Sequence, residues 1–432
     1  LKDEPTKFTK DKRRIFSSCP VVGTVLIRQY FLPVIKLIQD NWMRFGSAVG
    51  INAQGHQWHE LYQTLCKHGE DRIVAGDYKA FDKGAHSEFT LRGMYVFYAI
   101  AEKCGYSSHD LAVMRGLITD CVYPIYDWYG VFVQFCGSNP SGIPITVHLN
   151  NMVNLQYVLY SFVAMDKSAD KRSRAHEFWQ LVEIFLYGDD NIMSVSREEK
   201  LFNHTSLQDE LGKIGVVYTM ADKISESVPF VHITQADFLK RGFRKHENGY
   251  CTAPLAVESL FKSLYNVMRP KRDDILPECS AAQAAYASVL EAYQHGQGFF
   301  NDWRHKMSIV VETPCPNIQG YTVRQLLPNQ SLPTWEQCDE RYTETCLELQ
   351  SGSADLSDDV LVRIAAMLVE VRLSDCMQTI IRSRYSMVRT DRNILTISPR
   401  SPAAREKRLY REAMSLLQLL QREHNGWNPN LS

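Results

Sequence analysis

Four aspartates in two short segments are the side chains of this sequence best suited to chemistry. Asp77 and Asp82 lie in GDYKAFDKG, and Asp189 and Asp190 lie in FLYGDDNIMSV, between two apolar runs. Adjacent carboxylates repel each other unless a cation compensates them. If Asp77 meets Asp189 across neighbouring strands, the oxygen-only ligands suit Mg²⁺ or Mn²⁺ rather than zinc. Two such ions would activate an attacking oxygen and stabilise a leaving oxygen in phosphoryl transfer.

Each segment alone also has a purely structural interpretation. Asp77 and Asp82 could cap a helix or form a surface pair, because two aspartates at this spacing are common. Gly188 and Asp189 could form an ordinary hairpin turn, although the apolar runs on both sides argue against a fully solvated one. The chemical interpretation therefore depends on further segments that bring polar residues to the same place.

The elements predicted around these two segments place Asp77 at a strand end, Asp82 in the turn that follows, and Asp189 with Asp190 at a hairpin tip. DRIVAGD reads as a strand that ends at Asp77, and VEIFLYGDDNIMSV reads as a β-hairpin with two aspartates at its tip. Helical spacing predicts helices over about 26–42, interrupted by Pro33, and over about 88–103 and 108–120. ITVHLNNMVNLQYVLYSF predicts a long apolar helix with four polar residues that need partners: Thr146, Asn150, Asn151 and Asn154.

Bulk composition leaves most function classes open. The chain has 432 residues, 45% hydrophobic and 22% charged, which is ordinary for a folded protein of roughly two to four compact units. A formal net charge of -1 gives no global signature of nucleic-acid binding, so such a surface would be local. Eleven cysteines without zinc-type spacing favour reduced thiols in the cytosol. No run of about 18 apolar residues predicts a transmembrane segment.

The order of the segments resembles the palm motifs of viral RNA-dependent RNA polymerases, above all those of picorna-like positive-strand RNA viruses. The matching positions, followed by the hairpin sequence FLKRGF, are Asp77, Asp82, Ser141, Gly142, Thr146, Asn150, Tyr187, Gly188, Asp189, Asp190 and Lys223. LKDE followed by KRRIF is similar to the basic fingertip motif of that family, with Lys2 and Arg14 as matching positions. APLAVESLFKSLYNV is similar to the start of the family's thumb, so the likeness covers about 1–309 and extends toward Glu348.

The resemblance implies roles in nucleotidyl transfer for four residues. Asp77 and Asp189 would be the principal metal ligands, with Asp190 assisting. The 3′-hydroxyl of the growing RNA would attack the α-phosphate of the incoming nucleotide, and pyrophosphate would leave. Lys223 would be the general acid that protonates the departing pyrophosphate, although an isolated lysine after a strand is more commonly just exposed.

Four residues are implied to recognise the ribose of the incoming nucleotide: Asp82, Ser141, Thr146 and Asn150. A 2′-hydroxyl both donates and accepts hydrogen bonds, so a carboxylate and an amide supply complementary partners. Such a polar set discriminates strongly against a nucleotide that lacks the hydroxyl. Gly142 would give the loop freedom to move when the nucleotide enters. Asn150 could alternatively satisfy a neighbouring backbone group inside its helix.

Four basic residues are implied to contact phosphates. Lys2 and Arg14 would face the triphosphate, although a basic segment near a terminus is also often simply solvated. Lys240 and Arg241, in the predicted hairpin FLKRGF, would grip the primer strand through contacts that position it without reading its sequence.

The fold implied by the resemblance is α+β, a right-hand polymerase with partial fingers, an antiparallel-sheet palm and a helical thumb. The expected ranges are 1–70 for partial fingers, 71–250 for the palm with a finger insertion at about 100–135, and 251–350 for the thumb. An arginine-rich helical extension of uncertain role is expected over 351–432: an RNA-contacting extension, a neighbouring polyprotein segment or a plain surface helix. The charged start without an initiator Met suggests an excised piece that lacks the family's N-terminal finger region.

The implied function is RNA synthesis from ribonucleoside triphosphates on an RNA template, with two Mg²⁺ or Mn²⁺ ions, in replication of a positive-strand RNA virus. Implied partners are RNA template and primer, a small protein primer and other viral replication proteins, at membrane-associated complexes in the host-cell cytoplasm. Two alternatives stay open. A reverse transcriptase shares the palm, but Asp82 with Asn150, and Gly188 before the aspartates, favour the RNA polymerase. An inactive palm that only binds RNA is opposed by the intact Asp77, Asp189 and Asp190.

Overall fold

The computed structural model describes most of the chain. The described residues are 17–128, 130–135, 139–167, 170–265, 276–348, 389–390 and 394–396. Lys2 and Arg14, and most of the arginine-rich segment after 350, lie outside them. The few described residues of that segment form strands, where a helical extension was expected from the sequence.

The strands within the described ranges form two four-stranded sheets and a short ribbon. In chain order they are β1 (Ile73–Tyr78), β2 (Ile125–Trp128), β3 (Val131–Phe135), β4 (Val182–Tyr187), β5 (Asp190–Val195), β6 (Tyr218–Met220), β7 (Arg244–Lys245), β8 (Cys251–Thr252), β9 (Arg389–Thr390) and β10 (Ile394–Thr396).

The helices surround these strands and also build a separate C-terminal part. In chain order they are α1 (Val21–Asp40), α2 (Trp42–Phe45), α3 (His56–Leu65), α4 (Phe81–Gly84), α5 (Ser87–Lys103), α6 (Ser108–Val122), α7 (Thr146–Met165), α8 (Lys171–Leu181), α9 (His204–Lys213), α10 (Val257–Tyr265), α11 (Pro277–Tyr293), α12 (Gln297–Val310) and α13 (Trp335–Glu348).

The central sheet has the strand order β4-β5-β1-β6 and is antiparallel throughout. Every residue of β1 is buried, and its sequence IVAGDY accordingly lacks the alternation of apolar and polar residues that is typical of a half-exposed strand. Helix α7 packs against β4 and is buried on almost its whole circumference, from His148 to Val163. A helix buried all round must bring partners for its polar side chains, and this requirement shapes the site described below.

Three hydrophobic cores hold the described part of the chain together. The largest joins α1, α5, α6 and α7 to the central sheet. A second lies among α10, α11, α12 and α13, where the sequence predicted a helical thumb. The third packs α3 against β1, β5 and the hairpin that contains β7 and β8. The domain boundaries expected near 70, 250 and 350 stay predictions.

Helix α1 is, among the described helices, the one that could cross a membrane by length and composition alone. Five of its side chains are buried and belong to the largest core: Ile27, Phe31, Val34, Ile35 and Ile38. The helix also runs through Pro33, where the sequence predicted an interruption. Burial of apolar side chains on both sides of the proline offsets the backbone hydrogen bond that proline cannot donate.

An ion pair joins the segment after β6 to α11. The guanidinium of Arg241 donates to both carboxylate oxygens of Glu291, each at 2.8 Å, and to the carbonyl of Ala253 at 2.9 Å. Gln54 donates to the same carboxylate at 2.5 Å. Only 14% and 15% of the Arg241 and Glu291 side chains are exposed, so the pair is largely withdrawn from water. Three parts of the chain that are far apart in sequence therefore meet at Glu291.

We expect Glu291→Gln to lower the free energy of unfolding by about 2 kcal/mol, because it leaves the Arg241 guanidinium buried without its counter-charge. The measurement is chemical denaturation followed by tryptophan fluorescence. The matched control is Glu312→Gln, whose partner Arg324 is on an exposed surface, with an expected change below about 1 kcal/mol. Equal effects of the two substitutions would contradict a special role for the Glu291 junction.

Candidate active site

The pairing of β1 with β5 brings the two adjacent aspartates beside Asp77. The ladder ends with Gly76 opposite Asn191, so Asp77 and Asp190 are the next residues along the two strands. Asp189 lies with Gly188 in the two-residue turn between β4 and β5. Asp77 is 8% exposed, which puts its carboxylate at the edge of the buried sheet.

The turn depends on its glycine. Gly188 has a φ of 67°, the left-handed conformation that side-chain-bearing residues adopt only with strain. A glycine at the first position of a two-residue hairpin turn matches the right-handed twist of the flanking strands. The sequence predicted a hairpin with the aspartates at its tip, and the structure has one there.

Burial and mutual repulsion raise the pKa of both adjacent aspartates. For Asp189 the largest cause is burial, and the charges of Asp77 and Asp82 add to it. For Asp190 burial again comes first, and with the charges of Asp189 and Asp77 it raises the pKa to about 7. Because the pKa of both residues is raised, the state in which every carboxylate of the cluster is ionised is unfavourable without a further cation. A cation placed among the carboxylates would relieve the repulsion.

Lys223 provides positive charge next to the cluster. Its Nζ lies 2.7 Å from Oδ2 of Asp77, and its side chain is 64% exposed. The residue follows β6 with a φ of 65°, and its N–H donates to the carbonyl of Met220 at 2.9 Å. Within the part of the chain that the structure describes, no three His, Cys, Asp or Glu side chains stand close enough together to hold a metal ion. The side chains of Asp77, Asp189 and Asp190 would have to move closer together to share a metal ion, and at Asp77 that ion would replace the contact with the Lys223 ammonium.

Two asparagines of α7 hold the turn in place. The N–H of Gly188 donates to Oδ1 of Asn151 at 2.6 Å. Nδ2 of Asn154 donates to the carbonyls of Gly188 and Asp189, at 3.1 and 3.2 Å. The Tyr78 hydroxyl donates to Oδ1 of Asn154 at 2.9 Å, which fixes the orientation of that amide. Asn151 and Asn154, two of the four polar residues that the sequence places inside this apolar helix, thus form a clamp on the aspartate turn.

A second layer of hydrogen bonds supports this clamp from the sheet. Asn191, next to Asp190, accepts from the Tyr218 hydroxyl at 2.7 Å. Its own Nδ2 lies 3.5 Å from Oδ1 of Asn154. The side chains of Asn154, Asn191 and Tyr218 are all buried. The ring of His204 stacks on that of Tyr218, with the ring centroids 4.9 Å apart. The turn is therefore positioned by side chains from α7, β5 and β6 together.

Of the residues expected to recognise ribose, Asp82 in α4 and Asn150 in α7 contact each other. Asn150 donates through Nδ2 to Oδ1 of Asp82 at 2.8 Å. The Thr146 hydroxyl is occupied locally, because it donates to the carbonyls of Pro140 and Ile143. Ser141 lies partly buried in the turn just before the helix. The structure therefore joins Asp82 to Asn150 directly and gives Thr146 a role in shaping the loop.

Gly142 lies where two backbone segments approach closely. It forms a parallel bridge with Ser18. A Cβ at this position would lie 1.8 Å from the carbonyl oxygen of Ser17, a contact that no side chain could make. Glycine is therefore required here because backbone packs against backbone, and the expected loop movement on nucleotide entry stays a prediction.

The two residues expected to grip a primer strand have different surroundings. Lys240 is exposed in a tight turn in which both Leu239 and Lys240 have a φ of 58°. Arg241 instead points into the junction with Glu291, and a phosphate contact by Arg241 stays a prediction. Its fork of donors is already used by a carboxylate and a carbonyl. Lys240 is the member of the pair that remains accessible.

Comparison with known proteins identifies the family. Residues 1–311 match the family described as viral RNA-dependent RNA polymerase. The chain belongs to this family. The resemblance to polymerases of picorna-like viruses that the motif order indicated is thereby confirmed. The asparagine clamp and the aspartate hairpin accordingly lie in a chain of the viral polymerase family.

Relatives of the polymerase include three viral polyproteins. The RNA1 polyprotein of Cherry rasp leaf virus is 30% identical over 316 residues, which cover 69% of this chain and 14% of the polyprotein. The replicase polyprotein of Cricket paralysis virus is 27% identical over 352 residues, 76% of this chain and 18% of that protein. The genome polyprotein of Human hepatitis A virus is 29% identical over 301 residues, which cover 68% of this chain and 13% of the polyprotein. The chain thus spans less than a fifth of each.

A solved structure supports the fold. The Sicinivirus 3Dpol RNA dependent RNA polymerase superposes with a TM-score of 0.51 and 19% identity, covering 70% of this chain and 56% of that one. The predicted α+β right-hand polymerase fold is confirmed by this likeness together with the antiparallel central sheet and its helices.

Sequence reasoning did not assign three asparagines to the polymerase site. Asn151 and Asn154 did carry a signal, because polar side chains in an apolar helix need partners. Asn139 carried none, since it stands in a Gly/Ser/Pro-rich turn where asparagine is common. Its contacts with Asn150 appear only in the tertiary structure.

The Asn154 clamp can be tested with Asn154→Asp, which keeps the shape of the side chain and removes its donor. The carbonyls of Gly188 and Asp189 then face a carboxylate, so we expect a fall of about 2 kcal/mol in the free energy of unfolding and at least a tenfold fall in RNA synthesis. Thermal unfolding and primer extension measure the two effects. Asn301→Asp, on the exposed side of α12, is the matched control. Wild-type behaviour of Asn154→Asp would refute the clamp.

Proposed function

We propose that this chain is a template-directed RNA polymerase that extends an RNA primer from ribonucleoside triphosphates during replication of a picorna-like virus. The observation that supports the proposal most is the placement of Asp77 beside the Gly188-Asp189-Asp190 hairpin on adjacent antiparallel strands. That placement occurs in a chain that belongs to the viral polymerase family over most of its length.

Asp77, Asp189 and Asp190 would hold the metal ions. Their donor atoms are carboxylate oxygens, the ligands that Mg²⁺ and Mn²⁺ prefer. Burial, with repulsion from neighbouring carboxylates added to it, raises the pKa of Asp189 and Asp190, and a bound cation would favour their ionised forms. When bound, two Mg²⁺ ions would supply activation of the 3′-hydroxyl and neutralisation of the developing phosphate charge. Asp77 would exchange its contact with Lys223 for a metal contact.

Lys223 would deliver a proton to the leaving pyrophosphate from its Nζ. Its ion pair with Asp77 places the ammonium at the edge of the carboxylate cluster, and its exposed side chain is free to follow a departing group. A positioned acid of this type contributes about 10²–10⁴-fold to a transfer reaction. Asp82 and Asn150 would receive the ribose, because together they offer an acceptor and a donor to a 2′-hydroxyl.

Further contacts are proposed on the resemblance alone. Ser141, Gly142 and Thr146 would shape the pocket for the nucleotide, Lys240 would touch the primer backbone, and Lys2 with Arg14 would face the triphosphate. A small protein primer and other viral replication proteins would be partners, at membrane-associated complexes in the host-cell cytoplasm. All three relatives are viral polyproteins, which supports a chain that is made together with other viral proteins.

Primer extension on a homopolymeric RNA template with Mg²⁺ tests the proposed function. The assay uses the 432-residue chain and a fusion that adds the N-terminal finger region of a viral relative in front of it. Template-dependent incorporation of ribonucleotides is the expected result. Preferential use of deoxynucleotides would favour a reverse transcriptase instead. RNA binding without synthesis in both forms would favour an inactive palm and refute the proposal.

A further inference from the structure

Asn139 completes a chain of hydrogen bonds that ends on Asp82. Its Nδ2 donates to Oδ1 of Asn150 at 2.6 Å, and Nδ2 of Asn150 donates to Oδ1 of Asp82 at 2.8 Å. Its Nδ2 also lies 3.3 Å from the carbonyl of Thr146. The backbone N–H of Asn139 donates to the carbonyl of Asp82 at 2.8 Å. Asn139 therefore touches both members of the pair that would meet the ribose.

The direction of this relay follows from chemistry. An ionised carboxylate only accepts hydrogen bonds, so Asn150 must turn its NH₂ group toward Asp82. The Asn150 carbonyl then faces the other way and needs a donor. Asn139 supplies that donor through its own NH₂ group. If Asn139 offered an acceptor instead, the Asn150 amide would have to turn over and present its oxygen to a carboxylate.

The state of Asn139 itself points to function rather than to stability. The residue is 4% exposed, and its Oδ1 is a buried acceptor with no hydrogen-bond partner among the described residues. Burying an unpaired acceptor is unfavourable, and an apolar side chain of similar size would avoid that cost. An asparagine at this position is accounted for if its NH₂ group is needed to orient Asn150.

We propose that Asn139 is a positioning residue for sugar selection, which holds the Asn150 amide so that Asp82 and Asn150 present a fixed donor and acceptor to the 2′-hydroxyl of the incoming nucleotide. The inference rests on the proposed function, because it names the residue that sets the selectivity of the same site. A fixed pair discriminates between sugars through a buried polar contact, whereas a rotating amide satisfies either sugar about equally.

The test compares Asn139→Asp and Asn139→Ala with the unaltered chain. For each protein, kcat/KM is measured for a ribonucleotide and for its 2′-deoxy counterpart on the same RNA primer and template. We expect the ribose-over-deoxyribose ratio to fall about tenfold, mostly through a higher KM for the ribonucleotide. Asn139→Asp should have the larger effect, because the new carboxylate forces the Asn150 amide to turn over. Asn301→Ala, on the surface of α12, is the control.

A double-mutant cycle separates positioning from general damage. In an Asn150→Ala background, Asn139→Asp should lower the ratio no further, because the amide that it orients is gone. An unchanged ratio in the single Asn139 variants, with a lowered ratio in Asn150→Ala, would overturn the inference and leave the proposed function intact. Equal losses for both nucleotides together with a lower melting temperature would also overturn it. No RNA synthesis by the unaltered chain would instead refute the proposed function.

Discussion

RNA synthesis by the Asp189→Asn variant is expected to fall by about 10³-fold or more, while the variant stays folded. The substitution removes one carboxylate from the cluster that would hold the metal ions. A loss of about 4 kcal/mol of transition-state stabilisation corresponds to this factor. Stability should not follow activity, because burial and neighbouring charges already raise the pKa of Asp189. Neutralising that side chain therefore relieves repulsion instead of breaking a favourable ion pair.

The measurement pairs primer extension in Mg²⁺ with thermal unfolding and RNA binding of the same preparations. Asp302→Asn is the matched control, since Asp302 is exposed on α12 and pairs only with Lys306 among the described contacts. Control and unaltered chain should synthesise RNA at the same rate. Retained synthesis by Asp189→Asn would overturn the metal assignment. A large loss of stability would show that the side chain serves the fold instead.

Lys223→Met is the substitution with the second-largest expected effect, a fall of about 10²-fold in the rate of nucleotide addition. The variant loses the proton that would go to the leaving pyrophosphate. It also loses the ammonium that pairs with Asp77, so the Mg²⁺ concentration for half-maximal rate is expected to fall. The first effect lowers the maximal rate and the second strengthens metal binding, so a magnesium titration separates them. Single-turnover extension over a range of Mg²⁺ concentrations measures both.

Lys213→Met is the control for this experiment. Lys213 has the same exposure as Lys223, 64% for each side chain, and pairs with Glu210 at the end of α9. Its removal should leave both the rate and the magnesium dependence unchanged. Lys223→Arg keeps the charge and holds its proton more tightly, so it should restore the magnesium dependence but not the rate. A full rate in Lys223→Met would exclude the lysine as the general acid.

Local patterns in the sequence predicted many of the elements around the candidate site. The helices expected over 88–103 and 108–120 are observed as α5 and α6, within two residues at each end. The hairpin around the two aspartates is also present. It could be predicted because a turn between two apolar runs is a pattern of residues close together in sequence. The helix interruption expected at Pro33 is wrong, since α1 continues through the proline and burial in a core overrides the local preference.

The types and order of the chemical residues were also readable from the sequence, but their partners were not. Two aspartates in a hairpin and one at a strand end indicate a cation site before any fold is known. Nothing local indicates that Asn154 would hold the turn or that Arg241 would be used by Glu291. Those contacts join positions that are distant in the chain, and side-chain types alone do not reveal which groups face each other.

The sequence by itself determined the family, the strand-turn-strand that carries Asp189 and Asp190, and the oxygen-only chemistry of the site. The tertiary structure decided the register that sets Asp77 beside them, the asparagine clamp from α7, and the relay from Asn139 to Asp82. The physical reason is the range of the interactions. Periodicity and turn preferences act between neighbours in sequence, whereas the satisfaction of buried polar groups is settled only when distant segments pack together.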